Sequence, residues 1–144
     1  MTMWRALIER LDAEAEFHPP ATPEQLRAVE AALGVALPEE LRDLLSQTNG
    51  AEVTYGAGLI WSAEQIVHRN LEMRREWRRG ELAGTMPIDH LLCFGDLGNG
   101  DLVFFPITAE GVSNRVFLWD HEDDSRTSSA VSLADYLQGK GRKF

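Results

Sequence analysis

Two short stretches gather most of the residues that could do chemistry. The first is Gly95-Asp96-Leu97-Gly98-Asn99-Gly100-Asp101, small residues and carboxylates between two apolar runs. The second is Asp120-His121-Glu122-Asp123-Asp124. A phosphate-cradling loop needs glycine backbone leading into a helix, with Lys-Ser or Lys-Thr behind it in the P-loop form. Here the glycines lead into Leu102-Val103-Phe104-Phe105, a strand pattern, and no such pair follows. Asn99-Gly100 is instead a common hairpin turn pair. Alternating carboxylates suggest calcium, but that loop needs Gly at its sixth position and Glu at its twelfth. Counted from Asp120, those positions hold Ser125 and Val131. A magnesium site from Asp120, Asp123 and Asp96 fits the residue types without being demanded by the spacing. A solvated acidic turn after a strand is the simpler reading.

The remaining reactive residue types form no activating set. His18, His68, His90 and His121 are scattered, and the His90/Cys93 pair has no second pair to complete a zinc site. Cys93 lies in an apolar run, as a buried, inert thiol does. Ser128 and Ser129 lack the context of a nucleophile elbow. No catalytic residue, metal ligand or cofactor is therefore expected. Arg69, Arg74, Arg75, Arg78 and Arg79 form the one basic cluster, interleaved with Glu72 and Glu76. The spacing of Glu72 with Arg75 and Glu76 with Arg79 is that of ion pairs on a solvated helix. Trp61, Trp77 and Trp119 are expected in the core.

The 144 residues fit one domain, residues 1–144, able to build its core without disulfide or metal. A single cysteine suits a reducing compartment. The start, Met1-Thr2-Met3-Trp4-Arg5, runs into a charged helical pattern rather than a signal peptide. No apolar stretch approaches the roughly 20 residues that span a bilayer. These features point to a cytoplasmic protein away from membranes. The formal net charge of -9 argues against direct nucleic-acid binding, which needs basic surface. It is compatible with a basic protein partner, or with solubility alone.

The elements that must position these residues are readable from periodicity. Trp4, Leu7, Ile8 and Leu11 give one helical face in an N-terminal helical segment, residues 1–17, which His18-Pro19-Pro20 breaks. Thr22-Pro23-Glu24-Gln25 is a capped helix start, with Leu26, Val29 and Leu33 as the stripe and Gly34 as the stop. Pro38 opens a third helix closed by Asn49-Gly50, expected to pack on the second as a helical hairpin. Leu59-Ile60-Trp61 reads as a short strand, and Ser62 caps a helix over about 63–79. Three strands follow, at 91–94, 102–107 and 116–119. The second is apolar on both faces, so it belongs inside a sheet, with Pro106 near its end. Ser132-Leu133-Ala134-Asp135 starts a last short helix, and the tail at 140–144 is basic. Helices first and closely spaced strands later predict a single α+β domain with a mainly antiparallel sheet of about four to six strands.

Four segments together resemble one known family. Leu37 to Gly50 resembles its helix ending in Asn-Gly, and Phe94 to Asp101 its Gly-rich hairpin. Val116 to Glu122 resembles its following strand and acidic turn, and Ser132 to Leu137 its closing helix. The family is the SUKH superfamily of fungal cell-wall-synthesis regulators and bacterial toxin-immunity proteins, and the resemblance runs over about 22–138. It implies helices packed on an antiparallel sheet and a non-catalytic protein-binding domain. The expected function is neutralisation of a cognate toxin, such as a basic nuclease domain, with a regulatory or scaffold module as the alternative and a metal-dependent hydrolase behind both. The family often has an acidic residue where this chain reads Phe105-Pro106-Ile107. Asp96, Asp101, Glu122, Asp123 and Asp124 are the expected partner contacts, offered as surface charge to a basic groove.

Overall fold

Trp4, Leu7 and Ile8 are buried along one side of α1 (Trp4–Leu11), as their spacing predicts. The computed structural model describes residues 2–54, 57–82 and 84–139. The basic tail at 140–144 lies outside the described residues. α1 is shorter than the segment 1–17 suggests, because Glu16–Phe17 forms a short strand, β1, paired antiparallel with β2 (Ala51–Glu52). α2 (Pro23–Leu33) has the full capping box: Thr22 accepts from the Gln25 amide, and the Gln25 side chain accepts from the Thr22 amide. Gly34 ends it in the left-handed conformation, at φ 71°.

α3 (Glu39–Leu45) follows Pro38 and stops before Asn49-Gly50. The expected packing of α2 on α3 is minor, the two meeting through the Glu30–Arg42 ion pair. α2 packs chiefly along α4 (Ala63–Arg78), and α3 packs against α5 (Leu133–Leu137). The Asn49-Gly50 pair acts on the next helix instead. Asn49 Oδ1 accepts from the Ala63 amide at 2.8 Å, joining Ser62 and Gln65 in capping α4. Gly50 has φ +94°, and a side chain there would meet the Ser62 amide at 2.8 Å. Only glycine lets the chain pass so close to that helix start.

The main sheet has five antiparallel strands. Its order is β3 (Leu91–Asp96), β4 (Leu102–Thr108), β6 (Val116–Trp119) and β7 (Arg126–Ala130), with β5 (Gly111–Val112) pairing β4. β4 is the inner strand expected from its two apolar faces: Leu102, Val103, Phe104 and Phe105 are all buried. Phe94 stacks on Phe105, with ring centroids 4.4 Å apart, and meets Tyr136 of α5 edge-on.

β3 lies at the edge of this sheet, yet its outer side is not open. Asn70 of α4 reaches it with both ends of its amide, accepting from the Cys93 amide at 2.9 Å and donating to the Cys93 carbonyl at 2.8 Å. Trp61 N–H donates to the Phe94 carbonyl, and Asp96 N–H to the Gly58 carbonyl. Residues 59–61, expected as a strand, make one isolated bridge with Ala51 and otherwise serve as this cover. The strand backbone bulges between Cys93 and Gly95, and a side chain on Gly95 would lie 2.2 Å from the Leu59 carbonyl oxygen. An edge protected in this way cannot pair with another chain.

Candidate functional site

The β3–β4 hairpin and the turn after β6 bring the two acidic stretches to one end of the sheet. The hairpin loop runs over residues 97–101, with positive φ at Gly98 and Gly100. Asn99 does not share that conformation, so Asn99-Gly100 is not a two-residue turn. The side-chain oxygen of Asn99 accepts from the Asp101 amide at 3.0 Å, and Leu97 N–H donates to the Asp101 carbonyl, which close a larger loop. Gly100 lies against the imidazole of His121, where a side chain would come within 2.8 Å of the ring. This packing sets the second acidic stretch beside the first.

Asp101 and His121 are the coupled pair of the site. His121 Nδ1 and Asp101 Oδ1 are 2.6 Å apart, and the His121 amide donates to the same oxygen. Burial acts to raise the Asp101 carboxyl, but the hydrogen bonds from His121 outweigh it and hold the group below its ordinary range. The bond to Asp101 raises the His121 imidazole above its ordinary value, with the charges of Asp101, Glu122 and Asp120 adding to it. Asp101, Asp120 and His121 each place one ligand-type atom within 4.8 Å of the others. This group differs from the Asp120, Asp123, Asp96 set suggested by residue types alone. Within it, the closest atoms are already hydrogen-bonded to each other, and Asp120 Oδ1 accepts from the Glu122 amide.

The five expected contact residues fall into two kinds. Asp96 and Asp124 are turned toward the protein. Asp96 accepts from Trp61 Nε1 at 2.8 Å and from the amides of Gly58 and Gly98. Asp124 accepts from Trp119 Nε1 at 2.8 Å, from the Met86 amide at 2.9 Å and from Arg126 at 3.1 Å. Burial opposes the charge on Asp124, and those three donors overcome it, holding the carboxyl below its ordinary range. Asp124 is also the one non-glycine residue with positive φ among the described residues, at 61°, a conformation Asp tolerates better than most. Glu122 and Asp123 are exposed at the tip, and the Ser125 amide holds the Asp123 carboxyl low. Asp101 belongs with the inward pair: its side chain is 15 % exposed, beneath His121.

Cys93 and two of the clustered arginines are held by structure. Cys93 is buried and its thiol is pushed up to about 12 by desolvation, far from a nucleophile's range. Arg69 lies over the Trp61 ring at 4.4 Å, and Arg74 donates to the Leu91 carbonyl at 3.3 Å. The expected Glu72–Arg75 and Glu76–Arg79 pairs are replaced by His68–Glu72 at 2.9 Å and Arg79–Glu81 at 3.4 Å. Sequence reasoning missed Asn70, whose polar side chain in a helix face otherwise carrying Ile66 and Val67 was the available signal. Among the described residues no helix is long and apolar enough to cross a membrane.

The family model described as SMI1 / KNR4 family (SUKH-1) matches residues 20–139. No curated protein matches the chain.

Proposed function

Because the chain belongs to the SMI1 / KNR4 family (SUKH-1), we propose that it is an immunity protein that neutralises a cognate toxin by binding it. The family is generally non-catalytic, and membership implies an immunity or related protein-binding role. The observation that carries the finer reading is the acidic tip at the end of the sheet. Glu122 and Asp123 are exposed, Asp101 lies beside them, and the whole chain carries a net charge of -9. A basic nuclease domain has a groove that takes a phosphate backbone, and a rigid acidic tip is complementary to it. Inhibition then needs no chemistry, only occupation. Of the five acidic residues, Glu122 and Asp123 offer charge outward, while Asp96, Asp101 and Asp124 hold the tip in shape.

The test is co-expression with the product of the gene immediately upstream. The reading expects the chain to protect cells from that product and to co-purify with it. Stable capture without any protection would favour a regulatory or scaffold role; neither capture nor protection would remove the toxin reading.

A further inference from the structure

A second surface, away from the hairpin tip, has the character of a protein contact. The start of α1, the outer side of α3 and the entry to α5 enclose a groove of about 790 Å³. Glu39, Glu40 and Asp43 line it. Arg42 also lines the groove and is paired with Glu30, so the lining holds three carboxylates to one cation. Asp43 accepts from Trp4 Nε1 at 2.8 Å, and Glu40 accepts from the Leu133 amide at 3.0 Å, which fixes two carboxylates in place. Glu39 is exposed, with its carboxylate unengaged among the described residues.

The shoulders of this groove are apolar and open. Val131, at its edge, is 57 % exposed, and Met3, between the lining residues Thr2 and Trp4, is 66 % exposed. Among the described residues only Met86 is a comparably exposed large hydrophobic side chain. Negative charge in a concave floor with uncovered apolar shoulders complements a cationic side chain flanked by apolar ones.

We infer that the groove between α1, α3 and the start of α5 seats an arginine- or lysine-bearing segment of a protein partner, whose neighbouring apolar residues cover Val131 and Met3. The inference rests on the protein-binding reading and adds a second contact surface to the acidic tip. It brings the partner onto two faces of the domain.

The probe is the peptide acetyl-Leu-Arg-Leu-Arg-Leu-amide, titrated into isotope-labelled protein and followed by NMR. Saturable shifts of the Trp4 indole N–H and of the Val131 and Ser132 amides are expected, with none from the same peptide carrying glutamate for arginine. Glu39→Lys combined with Val131→Lys changes two exposed side chains, so an unchanged Tm is expected, and peptide affinity should fall by about tenfold or more. An unmoved Trp4 indole, shifts centred on the Glu122 turn, or unaltered affinity in the double variant would overturn the inference. A toxin domain that binds wild type and the double variant equally would also overturn it while leaving the protein-binding reading intact. A domain that binds neither would count against the toxin reading, with the peptide result still deciding the groove.

Discussion

Three of the four tryptophans donate their indole N–H to an aspartate: Trp4 to Asp43, Trp61 to Asp96 and Trp119 to Asp124. A buried indole needs an acceptor, and a carboxylate is a strong one. Two carboxylates that read in the sequence as surface charge are thus partly internal. The burial of Trp61 and Trp119 was legible from their apolar neighbours, but their acceptors were not. Trp61 finds Asp96 across 35 positions of chain, and only the tertiary fold makes them neighbours. Asp124→Ala removes the acceptor for an indole, an amide and a guanidinium at once. It should cost about 2–4 kcal/mol by urea denaturation, with Asp124→Asn retaining most of the stability. Glu122→Ala, exposed at the same tip, should stay within about 0.5 kcal/mol of wild type. Equal losses for Asp124→Ala and Glu122→Ala would refute this division of roles. The Asp101–His121 pair makes a prediction in pH. His121 titrates above its ordinary 6.5 in the folded state, so its contribution is complete below that value and lost as pH rises through the folded pKa. Asp101 titrates below its ordinary 3.8, so its share is present above that value and lost as pH falls through the folded pKa. The pair therefore stabilises the tip between those limits. NMR titration of the imidazole should place His121 above 6.5 and Asp101→Ala should bring it down; an imidazole insensitive to that change would contradict the coupling.

The edge of β3 is where the elements depend most on one another. α4 supplies Asn70, residues 58–61 supply carbonyl and amide partners, and Gly95 lets that segment approach. Asn70→Ala leaves the buried amide and carbonyl of Cys93 without these partners, and should cost about 2–4 kcal/mol in chemical denaturation. Gly95→Ala places a carbon against the Leu59 carbonyl and should cost about 3 kcal/mol, as overpacking against backbone does. Tolerance of both changes would mean that the cover over β3 is dispensable. Helix starts were the most legible elements, because Thr22 with Gln25 and Ser62 with Gln65 act within four residues of chain. The strand β7 was not legible. Its sequence, Arg126-Thr127-Ser128-Ser129-Ala130, carries no apolar alternation, and it is a strand because β6 pairs with it. The packing of α2 on α4 was hidden for a related reason: an apolar stripe states that a helix is buried, not against what.

At the scale of the molecule, one domain presents two acidic faces on a scaffold whose buried polar groups are largely committed to structure. The family pattern was visible as an ordered set of short motifs, and residues 20–139 match the SMI1 / KNR4 (SUKH-1) model. The physical reason for several of those motifs lies in the fold: Asn49 caps α4, Gly50 lets the chain pass its start, and Gly95 lets 58–61 close the sheet edge. The contact surface was less legible, because charge in a sequence does not say which carboxylates have internal donors. In the proposed function, exposed acidic charge rather than chemistry does the work. Its most direct test is the association rate between the chain and its proposed partner, the product of the gene immediately upstream, measured against ionic strength for wild type and Glu122→Lys/Asp123→Lys. Steered association predicts a wild-type rate that falls steeply with salt and a variant rate at least about tenfold lower at low salt, with a flattened dependence. Equal rates and equal salt slopes for the two proteins would contradict it.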